Sequence, residues 1–157
     1  MAGLRVIWVG KTQHRFVSDA ITYYRTRIAT LQSLELVEVR AGDHSGRDAP
    51  RVLKRECEAI LHRVDRGDTV VLLDEAGPAR STRELARWLE KLQAGSRPAI
   101  TFVIGGAYGV DDAVRRRADH VVSLSRLTFP HQLVRVILLE QLYRVLNLLA
   151  GHKYHHD

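Results

Sequence analysis

The sequence predicts an α/β protein with a mainly parallel sheet and helices on both of its faces. Strand-like and helix-like segments alternate along the chain, which is the order that βαβ units produce. Three of the strand-like segments are short, continuous apolar runs, as expected of strands that helices cover on both sides. A length of 157 residues suits one domain, so we expect a single domain over residues 1–157.

The first part of the chain contains two strand candidates separated by a helix. Residues 4–9 (LRVIWV) form an apolar strand, and a helical stretch follows from about His14 to Ala29. Residues 34–40 (LELVEVR) alternate apolar and polar side chains, as a half-exposed strand does. The Gly-, Asp- and Ser-rich residues 41–50 then predict a mobile loop.

The middle of the chain repeats this alternation. A helix ends near Val64 at the sequence DRGD, and residues 69–73 (TVVLL) follow as a buried strand. Ser81 and Glu84 have the spacing of a capping box, so Ser81 should N-cap the next helix.

Two further strands precede the last helix. Residues 99–104 (AITFVI) predict a buried strand, and a short helix through Ala113 and Val114 leads to a strand at residues 120–124 (HVVSL). We expect the apolar runs TVVLL, AITFVI and VVSL to form the centre of the sheet.

The last predicted helix, which follows Pro130, is apolar almost all the way round. A surface helix normally has one apolar stripe and a broad polar face. Here the clearly polar positions are few: Arg135, Glu140, Gln141, Arg144 and Asn147. One small domain cannot cover both sides of such a helix, so we expect a second protein surface to cover part of it.

Composition narrows the class of protein. The formal net charge of +6 suggests a polyanionic partner, with nucleic acid first, although many proteins are mildly basic. Cys57 is the only cysteine, which excludes an intramolecular disulfide and a cysteine-cluster zinc site. We find no signal peptide and no apolar run long enough to cross a bilayer. We therefore expect a cytoplasmic protein that uses neither a membrane nor a metal.

A glycine-rich segment follows the strand at residues 99–104. Parallel sheets bind ligands beyond the carboxyl ends of their strands, so this position is a candidate site. Gly105, Gly106 and Gly109 form the pattern G-G-x-x-G, which differs from the dinucleotide fingerprint. Glycines let a ligand approach the main chain closely, and a simple tight turn is the alternative.

Two other strand ends complete the candidate site. Leu73 offers an apolar wall, and the carboxylates of Asp74 and Glu75 follow it. Such a pair can serve metal or acid–base chemistry, but we favour a solvated strand end. The loop at residues 124–129 (LSRLTF) offers hydroxyls and main-chain groups that need partners, which a small polar ligand would supply. An ordinary connection is the alternative.

Several motifs, taken together, resemble those of one family. They are IGG-x-x-G at residues 104–109, LS-x-x-TFPH at 124–131, EQ-x-YR at 140–144 and the terminal YH at 154–155. In this order they resemble the SPOUT-class methyltransferases that modify large-subunit ribosomal RNA at a pseudouridine, the methyltransferase H family. The resemblance covers nearly the whole chain. It implies a C-terminal trefoil knot, which general rules of chain topology would argue against.

The resemblance also implies a cofactor and an assembly. S-adenosylmethionine would bind against the knot loops, and the protein would be a homodimer with the last helix packed against its partner. Two protein faces would account for the apolar surface of that helix. The positions that match the family's cofactor site are Leu73, Gly105, Leu124, Ser125, Arg126, Leu127, Thr128 and Phe129.

The implied reaction is methylation of N3 of a pseudouridine in a 23S ribosomal RNA stem-loop on the assembled ribosome. N3 carries a proton, so the reaction needs alignment and help in removing that proton. The candidate catalytic residues are Arg144, Tyr154, His155 and His131. Each has an alternative. Arg144 could lie along the apolar helix surface with its charge in water, residues 151–157 could be a frayed chain end, and His131 could have no chemical role.

RNA contacts would come from basic side chains. Candidates are the run Arg115–Arg117, Lys11, Arg15 and Lys153, with a solvated helix face as the alternative for the run. Arg135 could serve the dimer or the RNA. Two other functions stay open: a SPOUT methyltransferase that acts on tRNA or another RNA, and a non-catalytic dimeric RNA-binding protein.

Overall fold

Strands and helices alternate throughout residues 2–154, which are the residues that the computed structural model describes. The elements are β1 (Gly3–Val9), α1 (Arg15–Ile28), β2 (Leu34–Val39), α2 (Ala49–His62), β3 (Thr69–Leu73), α3 (Thr82–Gln93), β4 (Ala99–Ile104), α4 (Asp112–Arg117), β5 (His120–Val122) and α5 (His131–Leu149). Every predicted element is present. The capping box is confirmed, because Glu84 N donates to Ser81 Oγ and Ser81 N donates to the Glu84 carboxylate.

The sheet is parallel throughout, in the order β2-β1-β4-β3-β5. The prediction that VVSL lies at the sheet centre is wrong, because β5 is an edge strand beside β3. β1 takes the inner position on the other side of β4. A continuous apolar run indicates that helices cover both faces of a strand. It does not indicate whether the strand has a neighbour on each side. Val121 and Val122 of β5 do pack on opposite faces.

Alternate side chains of each strand enter two separate cores. In β1, Val6 and Trp8 pack on one face, while Ile7 and Val9 pack on the other. Helices α1, α3 and α5 cover the first face, and α2 and α4 cover the second. The predicted α/β architecture with helices on both faces is therefore confirmed.

The chain crosses one end of the sheet before the last helix begins. It leaves the edge strand β5 and passes the carboxyl ends of β3 and β4 through residues 123–130. It then reaches the end of β1, where Gln132 bonds to the main chain of Lys11 and Gln13. The predicted trefoil knot in this region stays a prediction.

Helix α5 has no fully exposed position between His131 and Leu149. Leu138, Leu139 and Leu142 are buried against α1, α3 and the sheet. A second stripe, containing Leu133, Ile137, Gln141, Arg144 and Leu148, is only partly covered. Within residues 2–154, neither this helix nor any other combines the length and the apolarity of a membrane span.

Candidate active site

The carboxyl ends of β3, β4 and β5 meet around a cavity of about 540 Å³. Small-molecule sites commonly have volumes of about 300–1,000 Å³. The predicted site residues that line it are Leu73, Gly105, Leu124, Ser125, Leu127, Thr128, Phe129 and His131. Arg126 lies on the same loop, is exposed, and does not line the cavity. The fold therefore brings together the three strand ends that the sequence indicated.

The glycine segment is both a tight turn and a wall of the cavity. Gly109 N donates to Gly106 O at 3.0 Å, and Gly109 has a φ of +77°. A Cβ on Gly105 would lie 3.0 Å from Val110 Cγ1 and 3.1 Å from the Gly109 main chain. Without side chains at these positions, main-chain atoms themselves form the wall.

The loop from Ser123 to Pro130 forms the opposite wall. Ser123 Oγ donates to Ser125 O at 2.7 Å, and Leu127 N donates to Ser125 Oγ at 3.0 Å, which fixes the local curvature. The main-chain N–H groups of Thr128 and Phe129 have no hydrogen-bond partner among residues 2–154. These donors can serve a polar ligand in the cavity.

The segment after β3 is joined to the end of β5. Asp74 N donates to Val122 O, and Ser123 N donates to Pro78 O, both at 3.0 Å. Gly77 is required here, because a Cβ would lie 2.8 Å from Val121 Cγ1 and 3.1 Å from Val122 N. This contact holds two walls of the cavity in a fixed relation.

The two carboxylates after β3 have different surroundings. Glu75 is exposed, as the prediction of a solvated strand end requires. The prediction fails for Asp74, whose carboxylate accepts from Ala76 N at 2.9 Å and from Arg115 Nη1 at 2.6 Å. These bonds, first that from Ala76 and then that from Arg115, lower the pKa of Asp74. Across residues 2–154, no three His, Cys, Asp or Glu side chains gather as metal ligands.

His131 borders the cavity at the first turn of α5. Burial lowers its pKa below the ordinary value of 6.5, and the neighbouring charge of Arg135 lowers it further. The imidazole is therefore neutral at pH 7, so one ring nitrogen can accept a proton.

Gln132 and Arg135 clamp the start of α5 to the loop after β1. The Gln132 carboxamide accepts from Gln13 N at 3.0 Å and donates to Lys11 O at 3.2 Å. Arg135 donates to Val9 O at 2.7 Å and to Thr12 Oγ1 at 3.0 Å. The suggestion that Arg135 serves the dimer or the RNA is wrong, because its side chain is 1% exposed. The sequence feature that could have predicted this clamp is a pair of polar residues at i and i+3 on an otherwise apolar helix.

Arg144 and Tyr154 form a second group, away from the cavity. Arg144 donates to Glu140 Oε1 from Nε at 3.0 Å and from Nη2 at 2.5 Å, and its guanidinium lies 5.1 Å from the centre of the Tyr154 ring. At the rise of an α-helix, Arg144 lies about 20 Å along α5 from His131. The fourth candidate, His155, lies outside the described residues.

The arginine run at the end of α4 is largely engaged within the chain. Arg115 pairs with Asp74, and Arg117 donates to Asp119 and to the main-chain carbonyls of Asp65 and Asp68. Only the middle arginine of the three has no such bond within the described residues. Arg115 and Arg117 are thus engaged with partners in the chain, whereas Arg116 is exposed, and RNA binding by this run stays a prediction.

Comparison with known proteins identifies the family. A family model described as "Predicted SPOUT methyltransferase" matches residues 3–155. The chain belongs to the SPOUT methyltransferase family. "Ribosomal RNA large subunit methyltransferase H" of Geobacter sulfurreducens is 44% identical over 153 residues, covering 98% of this chain and 99% of the relative. The protein of the same name from Acetivibrio thermocellus is 40% identical over 156 residues, covering 97% and 98%.

Solved structures share the fold at low sequence identity. A probable methyltransferase from Bordetella pertussis Tohama I has a TM-score of 0.57 and 14% identity, covering 92% of this chain and 95% of its own. TrmJ from Z. mobilis ZM4 has a TM-score of 0.55 and 9% identity, covering 100% of this SPOUT chain and 72% of its own. These likenesses agree with the family assignment at the level of the fold.

The left-handed backbone at Gly109 generates the first prediction. Gly109→Ala should lower the free energy of unfolding by about 1–2 kcal/mol, the cost of placing a Cβ in that conformation. No atom lies within 4 Å of the added Cβ, so the effect would come from the backbone alone. Gly46→Ala is the matched control, because that site is equally open and lacks a positive φ. Urea denaturation measures both variants, and equal losses would contradict the prediction.

Proposed function

We propose that this protein transfers the methyl group of S-adenosylmethionine to N3 of a pseudouridine in a 23S ribosomal RNA stem-loop on the assembled ribosome. The observation that carries the proposal is the cavity at the three strand ends, in a SPOUT chain. Support for the substrate comes from full-length relatives named for methylation of large-subunit ribosomal RNA.

The cavity suits S-adenosylmethionine in size and chemistry. Leu73, Leu124 and Leu127 offer apolar surface for a flat base, and the main-chain donors of Thr128 and Phe129 suit its polar edges. The glycine turn allows a ligand to touch the main chain. The residues proposed to hold the cofactor are Leu73, Gly105, Leu124, Ser125, Leu127, Thr128 and Phe129.

Proton removal is the chemical task that the protein's own residues must perform. S-adenosylmethionine, when bound, supplies a methyl group on an electrophilic sulfonium. The N3 nitrogen of pseudouridine becomes nucleophilic only when it loses its proton. In this proposal the neutral imidazole of His131 accepts that proton, and a cation such as Arg144 stabilises the charge that develops on the ring oxygens.

This chemistry requires two protomers. Within one chain, His131 and Arg144 are too far apart to contact the same base. The partly covered stripe of α5 contains apolar side chains together with Arg144, so a homodimer through this stripe would bury them. We propose that Arg144, Tyr154 and His155 of one protomer act at the cavity of its partner, and that the protein acts in the cytoplasm.

A methyltransferase acting on tRNA or another RNA is the second candidate, and a non-catalytic RNA-binding protein is the third. The open donors and the formed cavity favour cofactor binding over the third. Calorimetry with S-adenosylmethionine separates a methyltransferase from the non-catalytic RNA-binding protein, since a protein without a cofactor site would release no heat of binding.

The substrate assignment predicts a single methylation site. Ribosomes from a strain that lacks the gene should gain one methyl group on incubation with the protein and S-adenosylmethionine. Mass mapping of the 23S ribosomal RNA should locate that group on a pseudouridine in a stem-loop. A methyl group elsewhere, or methylation of tRNA instead, would refute the assignment.

The lowered pKa of His131 predicts a pH profile. The proton-accepting form is the neutral one, so turnover should persist down to pH 6.5 and fall only at lower pH. His131→Asn should lower kcat about 10²-fold, a common contribution of a general base, and should remove this acidic limb. If the variant retains the same limb, another group accepts the proton. Circular dichroism checks that the fold is intact.

The shared site predicts that Arg144→Ala keeps its fold and its affinity for S-adenosylmethionine but loses turnover. Arg87→Ala, at an exposed position of α3, is the control and should behave as wild type. Mixing Arg144→Ala with His131→Asn protomers should restore turnover, because a mixed dimer contains one site with both side chains. Dissociation of Arg144→Ala into monomers would instead assign a structural role to the residue.

A further inference from the structure

Tyr108 is a large aromatic residue in solvent at the edge of the cavity. Its exposed fraction is 62%, and it occupies the tip of the glycine turn between Ala107 and Gly109. Both of these neighbours line the cavity. A ring in this position adds little to the core, so its role must be sought at the surface.

The ring of Tyr108 is supported on one face by His44. The two ring centres are 4.1 Å apart and the planes differ by 21°, which is a stacked arrangement. His44 Nε2 lies 3.0 and 3.1 Å from the two carboxylate oxygens of Glu56. Glu56 also accepts from Gly42 N at 2.8 Å. The loop that the sequence predicted to be mobile is thus anchored at this point.

The support under Tyr108 is buried although Tyr108 itself is not. The side chains of His44 and Glu56 are 8% and 6% exposed. Burying such a pair is costly unless its hydrogen bonds are made, as they are here. The result is an aromatic surface whose orientation is set before any partner arrives.

Exposed cations lie at the same end of the sheet. Lys11, Arg40 and Arg126 follow β1, β2 and β5, and none of them forms an ion pair within residues 2–154. Side chains of this kind bind phosphate groups and position a nucleic acid, whereas aromatic rings stack on its unpaired bases. This end of the sheet, with its exposed cations, therefore suits RNA better than an apolar protein partner.

We propose that an unpaired base of the RNA substrate, adjacent to the target nucleotide, stacks on the open face of Tyr108. The inference rests on the proposed function, which makes a ribosomal RNA stem-loop the substrate. Loop bases can leave their stack, and a stack on an aromatic side chain does not depend on base identity. Because the turn carrying Tyr108 forms the cavity wall, a base held there would direct its neighbour toward the methyl donor.

The test measures binding to unmethylated assembled ribosomes from a strain that lacks the gene, which does not require turnover. Tyr108→Ala should weaken this affinity about 5- to 150-fold, because stacking contributes about 1–3 kcal/mol per base. Tyr108→Phe should retain the wild-type affinity, since it keeps the ring. Tyr23→Ala is the matched control: Tyr23 is 46% exposed, and its ring is covered by Arg27. Calorimetry should show that Tyr108→Ala binds S-adenosylmethionine as the wild type does.

Three results would overturn the inference. Tyr108→Ala could bind assembled ribosomes as tightly as the wild type does. It could lose affinity for S-adenosylmethionine by the same factor, which would make Tyr108 part of the cofactor loop. It could dissociate into monomers, which would make Tyr108 a protein contact. A wild-type protein that binds assembled ribosomes but methylates none would refute the proposed function, while the stacking measurement would still stand.

Discussion

The cavity depends on the position of the start of α5, which the hydrogen bonds of Arg135 fix. Among residues 2–154 this buried guanidinium has no carboxylate as a hydrogen-bond partner, and burial lowers its pKa to about 10, so it stays charged at neutral pH. A buried charge is costly unless hydrogen bonds replace water. Val9 O and Thr12 Oγ1 supply two of these bonds, whereas the buried Nε has no partner among residues 2–154. The start of α5 is thereby fixed to the end of β1. The loop before α5 must then cross the ends of β3 and β4, where it closes one side of the cavity.

Glycine main chain and apolar side chains together form the walls of the cavity. The glycine turn after β4 and the loop between β5 and α5 face each other because parallel strands all end at one edge of the sheet. The third wall is packed closely against β5, because a Cβ added to Gly77 would lie only 2.8 Å from Val121 Cγ1. Such a cavity offers a ligand the open main-chain donors of Thr128 and Phe129 beside apolar side chains.

Helix α5 contributes to three different surfaces. Its buried side joins the core, its first turn reaches the cavity through His131, and its outer stripe contains Arg144 together with apolar residues. The distance between His131 and Arg144 means that one protomer cannot assemble all the proposed catalytic groups. The apolar stripe and the divided set of candidates thus have one explanation in the proposed dimer.

The sequence by itself determined the strands and helices, the capping box at Ser81, and the three strand ends where a ligand can bind. These features depend on side-chain periodicity and turn chemistry, which act between residues close together in the chain. The motifs at residues 104–109 and 124–131 that indicate the family are also short and local in the chain, and the family model agrees with that assignment. Only the tertiary structure decided that β5 is an edge strand, that Arg135 serves the loop after β1, that Arg144 lies away from the cavity, and that His44 supports Tyr108. Each of these depends on contacts between segments far apart in the chain, and no local pattern specifies which distant segments will meet.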